Sequence, residues 1–487
     1  MSLSSRVAKN TIVQIFGKIA SVVLALIAIA LITRYLGTDG FGEYTTALAF
    51  LSFFGILADM GLCTILAREI SQDEKNKERI TSNIFTLRLI ADIVTFTLVP
   101  LIALGFNYSS NLKQTIAIGA LAFLFVSSAQ VLQAIFQKEL RVDKIAIAEV
   151  AGKTLFLILA ILIIKFSWDN TSRSFMIAMT CGNALLLFLF VLFARKFIKF
   201  KFRFDFSYWK KILVMAVPMS LAIVFNRIYF KFDAILLSML KPIADVGIYG
   251  LPYKVLEVLI FTSAIFVGII FPILSKYLNE DQNKFRAIFS YSQDALLIVS
   301  IPILFGGFAL AEPIILLLGG SEFIASIAVF KILLFAIIIM FLNALVSHVI
   351  ISAGKEKSIA WIHGIGAFLS IVTNLIFIPL YTYIGASVTT IFVEFVMLVL
   401  GYIIIKKTFG YIPSFRIAIK ALFSSLIMFA GLMFLMKTFP IVSPNIYIYI
   451  SQLLSYVLAG IIIYIVTLFA VGGINKQMIT KLFAKST

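Results

Sequence analysis

Charge is what this chain has least of: 13% of its 487 residues are Asp, Glu, Lys or Arg. Soluble domains carry roughly 25%, so a water-soluble globular protein is excluded. Cysteine is nearly absent. Cys63 and Cys181 lie far apart in apolar runs, which rules out a disulfide framework. There are two histidines, and no Cys/His/Asp/Glu cluster has metal-ligand spacing; no cofactor is expected. The strict alternation that an outer-membrane barrel needs is missing. Gly152-Lys153-Thr154 resembles the end of a phosphate-binding loop, but Ile147 stands where that loop needs its first glycine. With no soluble ATPase domain either, ATP hydrolysis is excluded.

Apolar sequence is what is present. Hydrophobic residues make up 61% of the chain, in continuous runs of about 20 or more, the length of a membrane-crossing helix. The runs predict about fourteen spans. The first, over 11–36, is too long for a signal-peptide core and is expected to be retained. The net charge of +18 does not imply nucleic acid, because the basic residues collect in alternate short loops. One set holds 28 Lys and Arg, the other only Arg34, Lys113, Lys165, Arg173, Lys241 and Lys437. This positive-inside asymmetry predicts both termini in the cytoplasm of a multi-pass inner-membrane protein.

The basic stretch Arg195–Lys211 alternates Lys/Arg with Phe. It reads either as an element lying on anionic headgroups or as a solvated linker. It splits the chain into an N-lobe (1–199, spans 1–6), a C-lobe (200–408, spans 7–12) and a remainder (409–487, spans 13 and 14). The lobes repeat: aligning Gly42 with Gly247 also aligns Tyr44 with Tyr249 and brings Ser71 within one position of Ser275. A six-span repeat keeps its orientation, so the lobes are expected to be parallel, with a pseudo-two-fold relation about the membrane normal. Ala421–Met436 and Tyr447–Val471 contain no charge and suit lipid contact.

Charges inside apolar runs are costly, at least ~2.5 kcal/mol each on insertion scales, and mark function. Span 7 carries Arg227, Lys231 and Asp233 near its middle. Ser220, Arg227, Lys231 and Ser238 form one helical stripe, with Asp233 on another flank. Two like charges on one face need an anion, from another helix or from a substrate. Arg88/Asp92, Glu149/Lys153 and Lys254/Glu257 can each neutralise locally at i,i+4 or i,i+3. Lys18 and Lys331 lie within snorkelling reach of span ends. Asp59 is a lone carboxylate, suited to a proton or cation site or to a fixed counter-ion. His348 and His363 read as structural.

The phrases Arg34-Tyr-Leu-Gly-Thr-Asp-Gly-Phe-Gly-Glu-Tyr44, Asp59-Met-Gly61, Asp245-Val-Gly-Ile-Tyr249 and Phe271-Pro272, with two six-span halves and two added spans, resemble the multidrug/oligosaccharidyl-lipid/polysaccharide (MOP) exporter superfamily. Within it the chain is similar to the Wzx-type O-antigen flippases of polysaccharide and lipopolysaccharide biosynthesis. The resemblance implies a non-enzymatic flippase. It would carry a polyprenyl-diphosphate-linked oligosaccharide across the bilayer by alternating access through a central cationic cavity. Arg227, Lys231 and Lys254 would bind the diphosphate or acidic sugars, with Lys18, Arg88 and Lys331 behind them. Asp59, Asp233, Glu257 and Asp92 are the coupling or counter-ion candidates, for H+ or Na+ where a cation is coupled. Glycan polymerase machinery is a partner such a protein would serve. Lipid II flippases share the layout, but the basic residues of their first two spans find only a partial match in Lys18 and Arg34. Multidrug exporters usually have about twelve spans and prefer cationic drugs. A membrane glycosyltransferase or polymerase would want an acidic metal motif or a large outer loop, and neither is present.

Overall fold

The computed structural model describes residues 3–73, 75–139, 141–197, 201–441 and 445–473. The side chains of Arg6, Lys9, Ser71, Ser220 and Arg227, and residues Lys199, Lys476, Lys481 and Lys485, lie outside the described set. Among the described residues every regular element is a helix. In chain order these are α1 (Leu3–Asp59), α2 (Leu62–Gln72), α3 (Lys77–Leu104), α4 (Ser110–Lys138), α5 (Val142–Lys165), α6 (Ser172–Ala194) and α7 (Phe206–Leu240). Then come α8 (Ile243–Glu280), α9 (Gln282–Ala309), α10 (Ala311–Gly319), a 3-10 turn (Ser321–Phe323), α11 (Ser326–Ser352), α12 (Glu356–Phe409), α13 (Arg416–Thr438) and α14 (Ile446–Ala470). The reason is physical: a lipid-exposed segment must satisfy its backbone internally, and only a helix or a closed barrel does so.

Among the described residues, eleven helices are long and apolar enough to cross a membrane, with α1 and α12 counted once each. Both are too long for one crossing, and each contains one non-helical residue. Gly37 sits at φ 66°, ψ −171° in α1, and Thr382 at φ 52°, ψ −131° in α12. A second break separates α1 from α2, where Met60 (φ 43°) and Gly61 (φ 72°) are both left-handed.

The chain forms two compact units, Met1–Gly247 and Ile248–Thr487. In the first, α4, α5 and α6 pack around Leu132, Phe136, Ile145, Ala148, Leu186 and Phe190. A second apolar core joins α2, α3, α4 and the start of α7 through Leu62, Ile65, Ile84, Val131 and Ile212. In the second unit α11 lies along α12, and α9 packs on both α11 and α13. Apolar side chains also cover the outside: Leu458, Ile462, Val466 and Phe469 of α14 are all exposed. In hydrocarbon that surface drives no association, so close packing does. A Cβ on Gly152 would stand 2.8 Å from the Gly182 carbonyl, and one on Gly182 would stand 2.6 Å from the Gly152 carbonyl. Gly152 is therefore a contact between α5 and α6. Gly42 and Gly247 do the same: a Cβ on Gly42 would meet the Ile243 carbonyl at 2.0 Å, and one on Gly247 the Thr38 carbonyl at 2.1 Å.

The basic linker is tied to α3. The Arg203 N–H donates to Thr86 Oγ1 and the Asp205 N–H to Asn83 Oδ1, both at 3.2 Å. Trp209 Nε1 donates to the Asn83 carbonyl at 3.2 Å, and Arg79 pairs with Asp205 at 2.9 Å. Phe202, Phe204 and Phe206 stand outward, 68%, 61% and 72% exposed, so the backbone is fixed while the rings face the surroundings.

Candidate functional site

Helix α7 carries the charges that the sequence singles out. Lys231 and Asp233 lie nine and seven residues before Leu240, the end of α7. At 1.5 Å per residue that is about 10–14 Å from the end of the helix. Lys231 is half-buried. Asp233 is buried at 3% exposure, and its Oδ1 accepts from the Ala234 N–H at 2.7 Å. The Arg227 side chain is outside the described residues. Toward the end of α7 the stripe closes, where Ser238 Oγ meets Tyr108 Oη at 2.9 Å.

Asp59, alone on its own helix, is not alone in space. Arg88 donates through Nη1 to Asp59 Oδ1 at 2.5 Å, and its Nε lies 3.1 Å from Asp92 Oδ1. The same guanidinium donates to Ser127 Oγ through Nε and Nη2, and Ser127 donates to Asp92 Oδ1 at 2.7 Å. Arg88 and Asp92 are 1% and 0% exposed, while the Asp59 side chain keeps 27%. The local Arg88/Asp92 pair is present, enlarged by a carboxylate from beside the Met60–Gly61 break. The guanidinium bridges two carboxylates here.

Glu149 has a partner beyond its own helix. It reaches across to Lys18 on α1, with Nζ and Oε2 3.5 Å apart, a cross-helix contact that i,i+4 spacing does not announce. Both line a cavity of about 370 Å³ between α1, α4, α5 and α6. Ser21, Gln130, Gln133, Lys153 and Asn183 also line it, with Leu186 and Phe190 as apolar wall.

In the second unit, Lys254 and Glu257 pair at 2.9 Å, as i,i+3 spacing predicts. Lys331 stands 4.9 Å over the Phe308 ring, an attraction to the ring face. His348 bonds to the Ala344 carbonyl at 2.8 Å and meets Phe271 edge-on, a structural setting. Two further acids matter more than their sequence context suggests. Glu394, buried at 3% exposure, accepts from Asn343 Nδ2 at 2.5 Å. Glu43, in the Gly-Phe-Gly-Glu-Tyr phrase, accepts from Ser109, Asn111 and Ser172 and so joins the ends of α4 and α6. Among the described residues no three His, Cys, Asp or Glu side chains form a metal-sized group.

Buried charges on facing helices and polar cavities suit binding and movement of a ligand. The comparisons agree. A family model described as "Polysaccharide biosynthesis protein" matches residues 7–278, more than half of the chain. The teichuronic acid biosynthesis protein TuaB of Bacillus subtilis is 23% identical over 376 residues, covering 74% of this chain and 75% of that one. The "Probable low-salt glycan biosynthesis flippase Agl15" of Haloferax volcanii is 23% identical over 396 residues, covering 80% of each. Among solved structures, the lipid II flippase MurJ in an inward closed conformation superposes with a TM-score of 0.76 at 17% identity. That match covers 94% of this chain and 98% of MurJ and establishes a shared fold. The chain is a multi-pass membrane protein that belongs to the polysaccharide biosynthesis protein family.

Proposed function

We propose that this protein flips a polyprenyl-diphosphate-linked oligosaccharide from the cytoplasmic to the outer leaflet by alternating access. In this reading α1 and α12 each make two crossings, which with α7 brings the eleven candidates to fourteen. Residues 1–199 and 200–408 form parallel lobes related by a pseudo-two-fold axis, and 409–487 adds the last two helices. Both termini are cytoplasmic. A diphosphate cannot cross hydrocarbon unaided, and buried cations replace part of its hydration.

What supports the reading is the presence of Arg227, Lys231 and Asp233 within the otherwise apolar run of α7, in a chain of this family. Arg227 and Lys231 are the primary diphosphate ligands and Lys254 a third, released from Glu257 as substrate arrives. Lys18 and Lys331 are secondary contacts. Arg88, fully buried against Asp59, Asp92 and Ser127, acts by holding Asp59 beside the helix break. Asp59, Asp92, Asp233 and Glu257 are the counter-ion or coupling groups, and a coupled H+ or Na+ would act through them.

The test is Arg227→Ala combined with Lys231→Ala in a host lacking its own flippase. Glycan export should be lost while the protein reaches normal membrane levels. Export that persists at normal levels removes α7 from the transport path.

A further inference from the structure

The cavity of the first unit has a composition that selects its ligand. Its lining residues include two lysines, Lys18 and Lys153, and one carboxylate, Glu149. That surplus of positive charge repels a cation and attracts an oxyanion. The amides of Gln130, Gln133 and Asn183 face the same space. An amide both donates and accepts. A bare phosphate has little use for the accepting half, whereas a sugar hydroxyl uses both. Asn183 is held in place, its Nδ2 donating to the Ala122 carbonyl at 3.0 Å.

A second observation points to a ligand independently. Ser21 lines the cavity and is 5% exposed, yet among the described residues its hydroxyl has no hydrogen-bond partner. Buried hydroxyls are rarely left so. Leu186 and Phe190 supply an apolar wall, suited to the C–H face of a sugar ring. At about 370 Å³, the volume is at the small end of ligand pockets, which run from roughly 300 to 1,000 Å³. It suits a single sugar unit. The close Gly152–Gly182 contact fixes the spacing of α5 and α6 beside it.

We infer that this cavity binds one pyranose ring bearing an oxyanion: the carboxylate of an acidic sugar, or the phosphate on the anomeric carbon of the first sugar of the carrier-linked glycan. The inference rests on the proposed glycan substrate and names the part of it gripped by the first unit. Lys18 and Lys153 receive the oxyanion. Glu149, Ser21 and the amides receive the ring hydroxyls. The cavity is lined by the later part of α4 and the first half of α5.

The experiment titrates the full-length protein in lipid nanodiscs with glucuronate, glucose 1-phosphate, glucose and inorganic phosphate. Glucuronate or glucose 1-phosphate should bind about ten-fold or more tighter than glucose and inorganic phosphate, in line with a hydrogen bond to a charged group. Whichever of the two is tighter identifies the source of the oxyanion. Lys18→Gln and Lys153→Gln should each weaken that binding about ten-fold and leave glucose binding little changed. Rising salt should weaken the charged probes on the wild-type protein alone, a readout that needs no variant to fold. Equal binding of all four probes, or binding of the charged sugars that ignores salt and both substitutions, overturns the inference. Leaflet exchange of a lipid-linked glycan, measured beside it in proteoliposomes, separates the two readings. Probe binding without exchange by the wild type sinks the flippase and keeps the site, and exchange without probe binding sinks the site alone.

Discussion

Replacing Arg88 by methionine keeps most of the side-chain volume and removes the guanidinium that closes its cluster. Arg88 and Asp92 are 1% and 0% exposed, so the surroundings cannot solvate what is left. Two carboxylates would then face each other across Ser127. Removing one partner of a buried ion pair costs about 3–5 kcal/mol. For domains of 150–250 residues each kcal/mol lowers the melting temperature by roughly 2–4 °C, so the expected fall is on the order of 10 °C. The geometry also predicts a rescue. Arg88→Met with Asp59→Asn and Asp92→Asn removes the orphaned charges and should recover most of the loss, since a buried ionic cluster is weak net stabilisation against neutral groups of similar shape. Asp92→Asn alone should cost more than Asp59→Asn alone, because the Asp59 side chain keeps 27% of its surface in contact with the surroundings. The assay is thermal unfolding of purified protein in detergent, with the single and combined variants arranged as a cycle. An Arg88→Met variant melting with the wild type, or a triple variant melting with the single one, would refute the reasoning.

The same geometry sets further expectations. Gly42→Ala and Gly247→Ala place a Cβ 2.0 and 2.1 Å from a carbonyl oxygen and should each cost about 1–3 kcal/mol or more by overpacking. Gly268→Ala, with nothing within 4 Å, should be neutral in the same melting assay. Asn343→Leu removes a donor from the buried Glu394 and should cost about 1–3 kcal/mol, measured in the same way. The Arg79 guanidinium holds the Asp205 carboxyl below its ordinary value of 3.8. A depressed folded-state value stabilises above the unfolded value and is lost as pH falls through the folded one. The difference in melting temperature between wild type and Arg79→Ala should therefore be full near neutrality and shrink as pH falls below the ordinary carboxylate value of 3.8.

Much of this is legible in the residues. Continuous apolar runs without alternation dictate helices, and the Lys254/Glu257 pair follows from i,i+3 spacing alone. What stays hidden is which helix faces meet. Asp59 and Arg88 are 29 positions apart, and Lys18 and Glu149 lie on separate helices. A soluble helix announces its buried side by an apolar stripe, but in lipid both sides are apolar and that signal disappears. Spacing alone therefore gives Glu149 to Lys153, the partner visible along its own helix, and leaves Asp59 solitary. Glu43 cannot be singled out from sequence because its ligands come from two other helices and no local spacing announces them. The cavity likewise needs four helices, each adding one or two polar groups that look incidental in isolation.

The anchored linker has a consequence for the covalent chain itself. Residues 203–209 grip α3 through four hydrogen bonds and ion pairs, and the start of α7 adds Ile212 and Ala216 to a shared apolar core. With that much non-covalent attachment on the far side, the peptide bonds near residue 199 are not what keeps α7 in place. Two polypeptides split there and co-expressed should find each other in the bilayer and reconstitute the working protein, as separately encoded subunits do.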